Sequence, residues 1–251
     1  MRITGSRVFL PLLLAAAMVM SVAAKPKKLF DCSGQLSKAV EKYNKKKYYD
    51  VNNILTEVLA QCPGHNAYDS MLYYQAKSLF ALKKYEEAKT EFDRIVQTYP
   101  SSPFYEESYY FVGWSMFLAS PATELDQAST KEAQARLRDF VETFPKSPYA
   151  DSARASIAKA DEKFAQKEFD NARFYDKIEQ YEAAIVYYKL LVNEYPQCKF
   201  IPLALLGTAE DLVKVNRTAE ASAALEDLVR QTKDESILKK AQLLQAKLSA
   251  K

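Results

Sequence analysis

A proline recurs four times in this chain, each time twelve residues after a small packing residue. Val51 precedes Pro63, Ala88 precedes Pro100, Ala133 precedes Pro145 and Ala184 precedes Pro196, and a fifth copy centred on Ala221 has Lys233 in the proline's place. A proline inside a helix removes a backbone donor and clashes with the preceding turn, so each one marks the point where a helix stops. Stops at a fixed distance from a small residue predict helical hairpins that pile on one another, each burying its apolar face only against its neighbours. Such a stack offers a long surface to other chains more readily than an enclosed reaction pocket.

The remaining residues agree with an all-α chain. Glycine is rare, five in 251 residues, and apolar residues recur at three- and four-residue spacing almost throughout. In the second unit Leu72, Ala76 and Leu79 mark one helix and Ala88, Phe92 and Ile95 its partner, with Lys84-Tyr85 in the turn between them. A small residue at the crossing, a large one a turn later and a closing proline resemble the tetratricopeptide scheme. The expected fold is thus an α-solenoid of about five hairpins over residues 33–251, in units of about 33–66, 67–103, 104–148, 149–199 and 200–233, with a capping helix at 234–251.

The units are unequal. Crossing residues are spaced by 37, 45, 51 and 37 positions. The third unit carries extra residues between its helices at 119–128, after which Ser129 and Glu132 have the spacing of a capping box. The fourth has neither glycine nor proline until Pro196, so its first helix is expected to run from 149 to about 177, roughly 44 Å at 1.5 Å per residue. Ser102-Pro103 and Ser147-Pro148 read as a capping hydroxyl before a first-turn proline.

Residues 1–24 hold Arg2 and Arg7, an apolar run from Val8 to Met20, no acid and a small-residue end at Val22-Ala23-Ala24, the three-part layout of a secretory signal; residues 25–32 then form a linker. A retained membrane anchor is the other reading of the same run. Loss of these 24 residues leaves 33 basic against 32 acidic side chains. A near-neutral chain has no cationic excess with which to displace counterions, so nucleic acid is not an expected partner, and Lys45-Lys46-Lys47 reads as a solvated turn.

Catalytic and metal-binding motifs are missing from the sequence. His65 is the sole histidine, no glycine-rich phosphate loop occurs, and Glu86-Glu87 and Glu106-Glu107 stand where solvated first turns favour acids. No cofactor is expected and the chain reads as a binding protein. Cys32 and Cys62 open and close the first unit, so an antiparallel helix pair would bring them together; three unpaired thiols are the alternative. A bridge there would close about 30 residues and stabilise an exported chain by about 3 kcal/mol.

In a tetratricopeptide stack the first helix of each hairpin lines the concave face. Setting the crossing residues in register places Tyr73, Lys77 and Phe80 there in the second unit, Tyr110, Trp114 and Phe117 in the third, and Phe169, Arg173, Asp176 and Lys177 in the fourth. The first two sets are mostly aromatic, which suits the apolar anchors of an extended peptide; the last is mostly charged, which suits docking of a folded partner.

Several stretches resemble the BamD family, the tetratricopeptide component of the machinery that inserts β-barrel proteins into the outer membrane of Gram-negative bacteria. They are the joints Tyr99-Pro100-Ser101-Ser102-Pro103-Phe104 and Phe144-Pro145-Lys146-Ser147-Pro148-Tyr149-Ala150, Gly113-Trp114 leading into Ser120-Pro121, Leu125-Asp126-Gln127 and Lys131-Glu132-Ala133, and the run 165–175 followed by Tyr181-Glu182-Ala183-Ala184. The likeness covers about residues 33–215 and implies a scaffold without a reaction of its own. Its amino-terminal repeats would engage the terminal strand signal of unfolded outer-membrane proteins, and its carboxy-terminal repeats the periplasmic domains of the barrel-shaped insertase. The implied place is the periplasm, at the inner face of the outer membrane. Members are normally lipoproteins, acylated on a cysteine directly after a short apolar signal; here Leu29-Phe30-Asp31 precedes Cys32, so acylation there is not expected. A periplasmic adaptor of the Tol–Pal envelope system shares the Tyr-Pro joints, but it should carry amino-terminal coiled-coil heptads, which are not seen, and no Leu-Asp-Gln insertion.

Overall fold

A computed structural model describes residues 30–123 and 125–249. The expected signal segment and most of the linker lie outside them. Eleven helices follow one another in the described residues: α1 (Cys32–Asn44), α2 (Tyr48–Gln61), α3 (Tyr68–Ala81), α4 (Tyr85–Thr98), α5 (Tyr105–Ala119), α6 (Ala128–Thr143), α7 (Ala150–Lys177), α8 (Tyr181–Glu194), α9 (Ile201–Lys214), α10 (Thr218–Gln231) and α11 (Glu235–Ser249). Each packs mainly on the next, α1 also on α3, α5 on α7 and α9 on α11. That order is a tetratricopeptide-type α-solenoid, and among the described residues no helix is long and apolar enough to cross a membrane.

The even-numbered helices explain the repeat. Val51, Ala88, Ala133, Ala184 and Ala221 are each wholly buried. Four residues on stand Leu55, Phe92, Leu137, Tyr188 and Leu225, and three beyond those Val58, Ile95, Phe140, Leu191 and Leu228, all buried. Positions i, i+4 and i+7 share one helical face, so each of these helices presents a single stripe to its neighbours, thin at the crossing and thick on either side. A side chain packs directly on backbone elsewhere: a Cβ on Gly207 of α9 would lie 2.6 Å from the Tyr188 ring.

The prolines end the helices in one way. Cys62, Tyr99, Phe144 and Tyr195 all leave the helical basin, with φ of −121° to −129°, as a residue before proline must. In each joint the N–H three residues on donates to that residue's carbonyl: His65 to Cys62, Ser102 to Tyr99, Ser147 to Phe144 and Cys198 to Tyr195. Pro103 and Pro148 lie in the joints rather than in a first helical turn. The hydroxyls of Ser102 and Ser147 accept from the N–H groups of Phe104 and Tyr149, which are the residues before α5 and α7. After Gln231 no proline follows; Thr232 is extended, and Asp234 opens α11 by accepting from the N–H of Ser236.

Turns inside the hairpins are equally regular. Lys46, Lys83, Glu179 and Asn216 are left-handed, with φ between 56° and 61°. The following N–H reaches back five residues in each case, Lys47 to Lys42, Lys84 to Leu79, Gln180 to Tyr175 and Arg217 to Leu212, which satisfies a carbonyl the helix end would leave unpaired. The third hairpin has an insertion instead. Its carbonyls are taken by side chains: Gln127 Nε2 donates to Ala122 and Leu125, Lys167 Nζ to Leu125, and Lys163 Nζ to Pro121 and to Ser120 Oγ. Ser129 and Glu132 form no capping box. α6 begins one residue before Ser129, and the N–H of Ala128 donates to Asp126 Oδ1, so the insertion's own aspartate supplies the acceptor.

Candidate binding faces

The odd-numbered helices carry most of the residues singled out above. On α3 the Tyr73 ring stacks on Phe104 with centroids 4.1 Å apart, and its hydroxyl donates to Glu107 Oε2 at 2.8 Å. Lys77 Nζ donates to Glu107 Oε1 at 2.8 Å and stands 4.2 Å over the Phe111 ring. Phe80 meets Phe111 edge-on. The second and third hairpins are therefore joined by one cluster in which Glu107 pairs with an ammonium and a phenol. Burial first, and then the hydrogen bond to Glu107, hold the Tyr73 hydroxyl far above its ordinary pKa; burial and the same carboxylate push Tyr149 up to about 12. By sequence Glu107 reads as a solvated first-turn acid, and the signal for its real role is a spacing of 30 from Lys77.

The aromatic row continues toward the amino terminus. Tyr74 meets Tyr73 at 5.4 Å, Tyr43 of α1 meets Tyr74 at 5.3 Å, and Tyr48 meets Tyr43 at 5.6 Å, all edge-on and all half-buried. Toward the other end of α5, Trp114 stacks on Phe117 at 5.7 Å, with Lys159 Nζ of α7 5.6 Å over the indole. Both rings are half-buried. Tyr110 differs from Trp114 and Phe117 on the same helix. It is 6% exposed, stacked on Tyr149 at 5.1 Å, and belongs to the core.

On α7 the four expected docking residues separate. Phe169 is 8% exposed and stacked on Phe200, so it too is a core residue. Asp176 is engaged within the fold: its Oδ1 accepts from Lys214 Nζ at 2.6 Å, and the same ammonium donates to Asp211 Oδ1 at 2.8 Å. Burial, reinforced by the neighbouring Asp176, pushes the Asp211 carboxyl up to about 6 against the pull of Lys214. Arg173 and Lys177 are exposed and enter no ion pair among the described residues. Beside them lie two apolar side chains that register did not select, Phe174 at 57% exposure and Ile178 at 47%, with Tyr175 stacked on Tyr187 of α8 close by. They form an i, i+4 pair on the next stripe of the helix.

Cys32 and Cys62 are joined by a disulfide, Cα atoms 6.1 Å apart, and Cys198 is a buried thiol. The Cys32 sulfur is thereby committed and not available for a lipid thioether. His65 lies at the same end. Its Nδ1 accepts from the N–H of Ala67, which leaves Nε2 to donate to Ser33 Oγ at 3.3 Å.

A family model described as YfiO, outer membrane lipoprotein, matches residues 31–228. The chain belongs to this family. Among curated relatives, the outer membrane protein assembly factor BamD of Caulobacter vibrioides is 31% identical over 138 residues, 55% of this chain and 45% of that one. The protein of the same name from Pasteurella multocida is 26% identical over 220 residues, 77% of this chain and 84% of its own. The match thus spans somewhat under half the length of the Caulobacter relative. Solved structures of a thermophilic tetratricopeptide protein of Thermus thermophilus and of a tetratricopeptide repeat protein from Parabacteroides merdae align at 16% and 11% identity. They cover 86% and 87% of this chain and 99% and 92% of their own, with TM-scores of 0.37 and 0.39. Superpositions that loose say nothing of a ligand, and the hairpin stack stands on the helix order described above.

Proposed function

We propose that the protein is a non-enzymatic periplasmic scaffold of outer-membrane β-barrel assembly, working at the inner face of the outer membrane. In this reading unfolded barrel polypeptides lie along the aromatic face of α3 and α5, on Tyr73, Lys77, Phe80, Trp114 and Phe117. The periplasmic domains of the insertase dock on α7 through Arg173 and Lys177, and Phe174 and Ile178 add the apolar anchor beside those cations. Tyr110, Phe169 and Asp176 serve the two faces from within, by holding the hairpins that carry them. The observation that carries the proposal is the family match across residues 31–228, joined to relatives named as assembly factors. Half-buried aromatic rings supply area at little entropic cost, and unpaired cations beside exposed apolar groups give a polar-rimmed docking patch.

Affinity purification from detergent-solubilised envelopes is the direct test. Recovery of the barrel insertase with the chain, and loss of many outer-membrane barrel proteins on depletion, are the expected outcomes. Intact barrels with a cell-constriction defect would reject the scaffold in favour of a Tol–Pal-type adaptor.

A further inference from the structure

Each end of the stack is closed by a helix with few fully buried residues. At the carboxy terminus α11 lies over α9 and α10, burying Ile237 and Ala241 and packing Leu244 and Leu248 against the last core cluster. At the amino terminus α1 buries one residue, Ala39, out of its thirteen. Leu36, Val40 and Tyr43 are half-buried where α1 packs on α2 and α3, but a helix of that length has little stability of its own. To this packing the chain adds a covalent tie. Cys32, the first residue of α1, is bonded to Cys62, the residue that caps α2, and the His65–Ser33 hydrogen bond lies beside the bridge. The opposite end of α1 carries Tyr43, the ring that extends the row Tyr73–Tyr74 into the first hairpin.

We infer that the Cys32–Cys62 bridge is a working part of the substrate face: it holds α1, and with it Tyr43, at the end of the aromatic row, so that capture of an unfolded chain depends on the bridge being closed. The inference rests on the proposed peptide-binding role of that row and deepens it by adding Tyr43 and a redox condition. Cys62 is 4% exposed while Cys32 is half-buried, so Cys32 is the more open half of the bridge to an attacking thiolate. With a small dithiol as reductant, its thiolate bonds to Cys32 and Cys62 leaves as a thiolate that takes up a proton. The second thiol of the reagent then closes on the first and releases Cys32 as a thiol. Two electrons pass to the protein, and the dithiol ends as a disulfide. The Cys198 thiol, buried far along the sequence in the α8–α9 joint, takes no part.

The test uses the mature chain, oxidised or reduced with a dithiol, beside a Cys32→Ser/Cys62→Ser variant and a Tyr43→Ala variant that keeps the bridge. Amide exchange of residues 33–44 should quicken about ten-fold on reduction, and in the serine variant without reductant, while α5 to α10 keep their protection. Binding of a labelled peptide carrying the carboxy-terminal strand of an outer-membrane barrel protein should weaken about five-fold in the reduced chain, and by a similar factor in Tyr43→Ala. Unchanged exchange in 33–44 after full reduction overturns the inference, since α1 then stands without the bridge. Faster exchange with undiminished peptide affinity overturns it as well, because Tyr43 then lies outside the row that binds. A peptide that fails to bind even the oxidised chain rejects the proposed peptide-binding face itself, and the exchange arm still decides whether the bridge holds α1.

Discussion

The ring of Tyr73 lies flat on that of Phe104, and the pairing recurs as Tyr110 on Tyr149 and Phe169 on Phe200. Phe104, Tyr149 and Phe200 are each the residue before an odd-numbered helix, five positions after the aromatic residue that ends the preceding one. Each ring reaches back across the joint to the first helix of the hairpin just completed. Stacking at these three points ties successive hairpins together, and the first joint, with Ala67 in that place, lacks it. Truncating Tyr73 to alanine should cost about 2 kcal/mol, since a half-buried stacked ring is removed. Tyr73→Phe keeps the stack and loses only the hydrogen bond to Glu107, a cost of about 1 kcal/mol. Urea unfolding of the two variants beside the wild type measures the difference; equal losses would mean that the ring contributes nothing beyond its hydroxyl.

Lys83 occupies a left-handed position that glycine fills without strain. Lys83→Gly should therefore raise stability, by about 0.5–1 kcal/mol once glycine's greater freedom in the unfolded chain is set against the relief. The same change at Lys89, inside α4, should instead lower it by about 1 kcal/mol. Thermal unfolding of the pair checks the sign at each position.

The Asp211 carboxyl faces Lys214 on its own helix and Asp176 across from α7, and it acts in turn on Tyr188 of α8; Arg173 is felt by Asp176 and Tyr188, and Glu210 by Tyr188. Its folded pKa of about 6 lies above the ordinary value of 3.8, so the folded state holds this proton more tightly than the unfolded one. Stability from this group is fully present below the unfolded value and is lost as pH rises through the folded one. Between pH 7 and pH 5 the wild type should gain about 1 kcal/mol relative to Asp211→Asn, which has no proton to take up. Urea midpoints of both proteins across that range give the slope. Parallel curves would place the carboxyl at its ordinary value.

Much of the fold was legible because one physical constraint is repeated. A proline at a fixed distance from a small residue dictates helix ends, crossing points and the i, i+4, i+7 stripe together, and the long α7 followed from a stretch without a breaker. Helix starts were harder: Ser129 looked like a cap, but Asp126 in the insertion supplied the acceptor, and a one-dimensional pattern cannot rank two nearby acceptors. The faces were read least well. Register fixes the stripe but not the depth: Tyr73, Tyr110 and Phe169 all stack on a joint aromatic, yet only Tyr73 stays half-buried, while Phe174, one position from Arg173, turns outward. The Lys77–Glu107 pair spans two hairpins, and only their actual approach makes a separation of 30 residues mean contact.

Core and face can be separated on the third hairpin. Tyr110→Ala should destabilise the chain by about 3 kcal/mol, because a buried stacked ring leaves a cavity. Trp114→Ala removes a half-buried ring and should act mainly on peptide affinity. Trp114 is the only tryptophan, so its emission reports directly. A shift on saturating barrel-signal peptide is expected, and an unshifted spectrum counts against the indole's place in the binding face.

The proposed docking face on α7 makes the sharpest contrast, since neighbouring residues on one helix are assigned opposite roles. Reversing Arg173 and Lys177 to glutamate should weaken binding of the insertase's periplasmic domains about ten-fold, and the loss should shrink at higher salt because exposed charges are screened. Phe174→Ala should weaken the same binding about ten-fold with no salt dependence, as an apolar anchor does. Both variants should unfold within about 0.5 kcal/mol of the wild type, because these side chains are exposed. Phe169→Ala, five residues before Phe174, should instead lose about 3 kcal/mol of stability and affect docking only through unfolding. Titration of the purified domains against each variant at two salt concentrations, with unfolding curves alongside, decides the assignment. Full affinity in the Phe174→Ala and charge-reversed chains would move the insertase to another face of the stack.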